Sequence, residues 1–182
     1  EAKASAGSEV TPTLVVPPGD YEVFVGPAND DDLTRYPPVQ LRNSDTLEPL
    51  VVTFPSGSHE LRIAYGTGFR SLDVAMFGPD GKTALTDPRE ARDIRVVDET
   101  TGQLASTIAH TCELPGKPLR PTVTLSLAPE IAGHRYSLRV EPASASCSAA
   151  TPQQRATIDF DLGALDVEGR GNKVTVTVPA TA

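Results

Sequence analysis

Val123-Thr124-Leu125-Ser126-Leu127 and Tyr136-Ser137-Leu138-Arg139-Val140, separated by residues 128–135, set apolar side chains at every second position. A period of two sends alternate side chains to opposite faces of an extended chain. Each run therefore reads as a strand with one face on a core and one in water. The same period recurs in Tyr21-Glu22-Val23-Phe24-Val25, Leu61-Arg62-Ile63-Ala64-Tyr65, Ile158-Asp159-Phe160-Asp161-Leu162 and Val174-Thr175-Val176-Thr177-Val178. The enrichment in Val and Thr suits a pleated, half-buried surface.

The breaks between these runs carry turn chemistry. Gly78-Pro79-Asp80-Gly81 predicts a turn from Leu72–Phe77 into a strand starting near Lys82, because Asp-Gly accepts the positive φ of a tight turn. Gly169-Arg170-Gly171-Asn172 predicts another before the last strand, and Gly66-Thr67-Gly68 separates two earlier ones. Helix signals are few. Asp87 can cap, Pro88 suits a first turn and Glu90 completes a capping box, so Asp87–Arg92 predicts one or two helical turns. Ala128–Ala132 predicts a single turn, and Asn29–Asp32 through Pro37-Pro38 a long acidic loop. Tyr21-x-Val23-x-Val25-x-Pro27 echoes Tyr136-x-Leu138-x-Val140-x-Pro142, a likeness expected of any glycine turn feeding a strand.

The expected fold class is all-β: an antiparallel β-sandwich over residues 46–182 with very little helix, preceded over 1–45 by an N-terminal extension or a second small β unit. The chain has 182 residues, enough for a substantial core. With no Trp, one Met, five Phe and four Tyr, that core must be aliphatic. The 17 prolines favour short elements joined by defined turns.

A net charge of −8 argues against a nucleic-acid backbone or an anionic lipid surface as partner. No run approaches the ~20 apolar residues of a membrane span. The start, Glu1-Ala2-Lys3-Ala4-Ser5-Ala6-Gly7-Ser8, reads like a terminus left by signal-peptide removal or by trimming. Cys112 and Cys147 lie in polar surroundings, where a bridge is stable in an oxidising compartment. Their pairing predicts a periplasmic or secreted protein and a clamp at the base of the Val123–Leu127 and Tyr136–Val140 hairpin. Such a closure is worth about 3–4 kcal/mol in the chain-entropy model. Two unpaired thiols in a cytosolic chain are the alternative.

Chemical signatures are sparse. His59, His110 and His134 lack metal-ligand spacing, there is no Gly-x-Ser-x-Gly elbow, and no phosphate loop is present. No catalytic residue, metal or cofactor is therefore expected. Asp159 and Asp161 share a strand face and read as its wet side; with Asp30, Asp31 and Asp32 they make the best carboxylate candidates for glycoside hydrolysis. Tyr36, Tyr65 and Phe69 are the candidate contact surface, since aromatic groups outside a core supply contact area for sugars or proteins.

Three segments resemble a known pattern. Pro49–Pro55 leads to Leu61–Ala64, Leu72–Lys82 forms a strand and turn, and Val123–Pro129 leads to Tyr136–Val140. In this order they resemble the bacterial maltose-operon periplasmic protein family and are similar to the pre-peptidase C-terminal domain. The resemblance implies a noncatalytic envelope protein and supplies no catalytic residues. The expected function is a noncatalytic binding or structural protein of the bacterial cell envelope, with an envelope protein or a carbohydrate as partner. A secreted carboxylate-dependent hydrolase is one alternative. The other is a surface-filament subunit donating Leu14–Val16 or Val174–Val178 to a neighbour's sheet.

Overall fold

The computed structural model describes residues 16–27, 30–57, 69–87, 90–112, 117–143, 157–163 and 172–179. Four short strands come first: β1 (Gly19–Glu22), β2 (Phe24–Val25), β3 (Val39–Gln40) and β4 (Val51–Phe54). One helix, α1 (Asp30–Arg35), joins β2 to β3. The sandwich follows, with β5 (Arg70–Phe77), β6 (Arg92–Asp98), β7 (Gln103–Leu104), β8 (Ala109–His110), β9 (Thr122–Leu127), β10 (Tyr136–Pro142), β11 (Ile158–Gly163) and β12 (Lys173–Thr177).

The fold is an all-β sandwich. The larger sheet runs β11-β10-β6-β7, with β8 also on β6; the smaller runs β12-β5-β9. The period-two runs explain the packing. Leu72, Val74 and Met76 of β5 and Val123, Leu125 and Leu127 of β9 meet Ile94 and Val96 of β6 and Tyr136, Leu138 and Val140 of β10 in one core. Thr107 donates its backbone N–H to the carbonyl of Ser126 at 2.9 Å, and Ala128 donates to the carbonyl of Ala105. These bonds tie the two sheets together along one margin. Strands β11 and β12 end their sheets at the other.

Several expectations are corrected. Val123–Leu127 and Tyr136–Val140 are not a hairpin: β9 pairs with β5, while β10 pairs with β6 and β11. Their apolar faces oppose each other across the core instead of lying side by side. The connection is too long for a tight hairpin and carries Pro129. Its turn falls at Ile131–His134, with Gly133 at φ 83°, so Ala128–Ala132 holds no helical turn.

The helical turn expected within Asp87–Arg92 is present as a single tight turn at Glu90, with Pro88 and Arg89 outside the described residues. One turn closes from Glu90 N–H to the carbonyl of Asp87, and Arg92 already opens β6. The turn at Gly78–Gly81 is present, but beyond it only an isolated bridge, Phe77 to Ala84, stands where a strand was expected. The acidic loop is α1 instead. Arg35 lies in its last turn, where a cation complements the helix dipole, and Pro37 and Pro38 follow it. One pairing departs from antiparallel: β12 runs parallel to β5. Leu61–Tyr65, Gly66–Gly68, Gly169–Gly171 and Leu14 lie outside the described residues.

Strands β1 to β4 form a ribbon. Strand β1 pairs with β4 and β2 with β3, both antiparallel. The expected continuous strand Tyr21–Val25 is interrupted at Val23. There its N–H bonds the carbonyl of Leu50 and its carbonyl accepts from Leu41. The β1–β4 pairing spans the 45/46 boundary drawn from sequence. The ribbon buries Val39 and Leu41 and continues the larger sheet through Asn43, which bridges to Gln103.

Candidate functional site

Two arginines hold the ribbon's 43–48 turn against the larger sheet. Arg95 and Arg139 are directly opposed across β6 and β10, a like-charge pairing that is unfavourable unless neutralised. Neutralisation is supplied from three sides. Arg95, 2% exposed, makes a two-pronged contact with Glu141 at 2.7 Å on each arm. Its Nη2 also donates to the backbone carbonyl of Ser44 at 3.0 Å. Arg139 donates to Asp45 at 2.7 Å and to Asp159 at 3.0 Å. Burial alone would lower the Arg139 pKa; the hydrogen bonds from Asp45 and Asp159 outweigh it and raise it.

So anchored, the ribbon turns one face inward and one to solvent. Tyr21 and Phe54 meet on the inward-parity face, ring centroids 5.8 Å apart. The outward face carries Glu22, Phe24, Gln40 and Val51, because Glu22 pairs with Val51 and Phe24 with Gln40. Phe24 is 57% exposed and Val51 51%. A polar relay runs beside them. Gln40 Nε2 donates to Glu22 Oε2 at 2.6 Å, Arg42 Nη2 donates to Gln40 Oε1, and Arg42 Nη1 donates to the Leu47 carbonyl at 2.7 Å. Further along, Thr53 donates to Asp20 at 2.6 Å. The exposed phenyl ring thus stands beside a row of carboxylate, amide and guanidinium whose members orient one another.

The residues singled out from sequence lie in several places, some of them outside the described residues. Tyr36 is half-buried beneath the Arg35 guanidinium, 5.1 Å from its ring centroid, and Phe69 is half-buried just before β5. Tyr65 lies outside the described residues. Asp159 and Asp161 do lie on the wet face of β11, but each meets an arginine: Asp159 meets Arg139, and Asp161 meets Arg135 at 2.7 Å. His110 contacts Asp93 at 2.7 Å and His134 contacts Asp98 at 2.8 Å, while His59 lies outside the described residues. No group of three or more potential metal ligands occurs among the described residues. Nor is any described helix long and apolar enough to cross a membrane.

Cys112 is 8% exposed and packs with Ala91 and Leu119 in a small second cluster. No free cysteine occurs among the described residues, and Cys147 lies outside them. Within this chain Val174 and Val176 serve its own sheet, paired to Val74 and Met76. The sequence did hold a signal for the face that was missed. Phe24 occupies the polar parity of the Tyr21-Val23-Val25 alternation, where an aromatic ring has no core to enter.

Comparison with known families, characterised proteins and solved structures finds no match. Any functional reading therefore rests on this chain's own residues.

Proposed function

We propose that this chain is a noncatalytic binding protein of the bacterial cell envelope, periplasmic or secreted, whose contact surface is the outer face of the β1–β4 ribbon. The observation that carries the reading is Phe24, 57% exposed on a ribbon whose 43–48 turn is anchored by Arg95 and Arg139. A large apolar side chain held in water on a fixed platform brings a gain to binding that it does not bring to folding. The envelope assignment draws on the even cysteine count and on a bridge we propose between Cys112, which carries no free thiol, and Cys147. The hydrolase alternative gains no support from Asp159 and Asp161, whose carboxylates are occupied by arginines.

The test is capture of an envelope extract on the immobilised chain, beside a Phe24→Ala/Val51→Ala variant. Both side chains are largely exposed, so the variant should keep its fold and lose the captured material. Equal capture by both proteins would place the contact surface elsewhere. Intact mass before and after reduction should differ by two hydrogens; equal masses would remove the bridge and with it the argument for an oxidising compartment.

A further inference from the structure

We infer that the outer face of the ribbon takes a neutral pyranose glycan, an inference that rests on the contact surface proposed above. Three features select this occupant. The first is scale. A stable protein–protein interface buries roughly 800 Å² on each side around an apolar centre. This face offers two exposed large apolar side chains, Phe24 and Val51, too small a centre for such an interface. One phenyl ring matches the apolar C–H face of one pyranose.

The second is spacing. Phe24 and Gln40 are directly opposed across β2 and β3, with Cα atoms about 4.5–5.5 Å apart in such pairs. Glu22 stands two residues along the same face, roughly 7 Å away. A sugar ring stacked on Phe24 therefore brings its rim of hydroxyls over the Gln40 amide and the Glu22 carboxylate. Glu22 spends one oxygen, Oε2, on Gln40. Its Oε1 is left to accept from a hydroxyl, and the second N–H of the Gln40 amide to donate to one. Vicinal hydroxyls, each both donor and acceptor, suit such an alternating row.

The third is charge. Arg42 offsets Glu22 through the Gln40 relay, and the chain as a whole carries −8. A polyanionic glycan would meet repulsion, whereas a neutral one does not.

The experiment titrates the full chain, labelled with ¹⁵N, with neutral β-glucan, mannan and xylan hexasaccharides at millimolar concentration. At least one should perturb amides 22–24, 39–42 and 51 selectively. Phe24→Ala should weaken that binding tenfold or more, Phe24→Tyr should preserve it, and Gln40→Ala should weaken it with the ring still present. The dispersion of the spectra confirms that each variant is folded. No perturbation by any hexasaccharide, or perturbation unaffected by Phe24→Ala, overturns the inference. If the sugars are silent while Phe24→Ala/Val51→Ala still abolishes capture from the envelope extract, the contact surface stands and its occupant is a protein. If both fail, the surface itself was misassigned.

Discussion

Replacing Arg95 with Met should destabilise the fold by about 2–4 kcal/mol. The figure follows from the surroundings of the side chain. Its guanidinium bonds both oxygens of Glu141 at 2.7 Å and the Ser44 carbonyl at 3.0 Å, and the side chain is 3% exposed. Breaking a fully buried ion pair costs about 3–5 kcal/mol, because the abandoned charge stays desolvated. The Glu141 side chain is 29% exposed, so water recovers part of that cost. Losing the bond to Ser44 adds about 1 kcal/mol. Methionine keeps most of the apolar stem, so packing contributes little.

For a domain of this size each kcal/mol lowers Tm by about 2–4 °C, giving a drop of roughly 5–15 °C. Urea unfolding followed by circular dichroism reads the free energy directly, with an unchanged slope marking a change in stability alone. Adding Glu141→Leu should restore at least about 1 kcal/mol, since the orphaned carboxylate is then gone. Amide exchange at residues 43–48 should accelerate in Arg95→Met, as the turn loses one of its two anchors. A loss below about 0.5 kcal/mol, or strict additivity in the double variant, would refute the claim that this ion pair fastens the ribbon to the sheet.

Tyr136 and Asp80 give two further tests. The Tyr136 hydroxyl accepts the Ile131 N–H at 2.9 Å, and Tyr136→Phe should cost about 1–2 kcal/mol by stranding that donor, measured by denaturant unfolding. Burial raises the Tyr136 pKa above the ordinary 10.0, with Asp98 and Glu130 adding to it against the opposing Ile131 bond. The stability this group confers is complete below pH 10.0 and is lost as pH rises further, because the unfolded chain ionises first; Tyr136→Phe should flatten that alkaline slope. Asp80 is held down to about 2 from the ordinary 3.8, chiefly by the Thr83 hydroxyl and then by the Thr83 and Lys82 N–H groups. Its contribution is present above pH 3.8 and lost as pH falls through about 2. An NMR titration of Thr83→Ala should move the Asp80 midpoint upward, and an unmoved midpoint would discount the hydroxyl bond.

The strands that alternate cleanly were legible because each has one wet face. Strand β10 writes Tyr136, Leu138 and Val140 inward and Arg139 outward, and β9 does likewise with Val123, Leu125 and Leu127. Strand β6 escaped notice for the converse reason. Ile94 and Val96 enter the core while Arg95 and Val97 are buried on the opposite face, so both faces are covered and no polar period survives. Its two buried arginines read as solvent-facing residues until the carboxylates that neutralise them come into view. Local signals at Asp87 and Glu90 were legible, as a single turn closes there from Glu90 N–H to the Asp87 carbonyl before β6 begins at Arg92.

The sequence by itself determined the all-β class, the aliphatic core and most of the residues that line it, because period-two patterning is a local property of an extended chain. Only the tertiary structure decided which strands are neighbours. It separated β9 from β10 into facing sheets and laid β12 parallel to β5. It also exposed Phe24 beside its polar row, a face that the reading of Tyr36, Tyr65 and Phe69 does not single out. Strand pairing and the exposure of a single ring depend on contacts between segments far apart in the chain, and alternation within one strand carries no record of its neighbour.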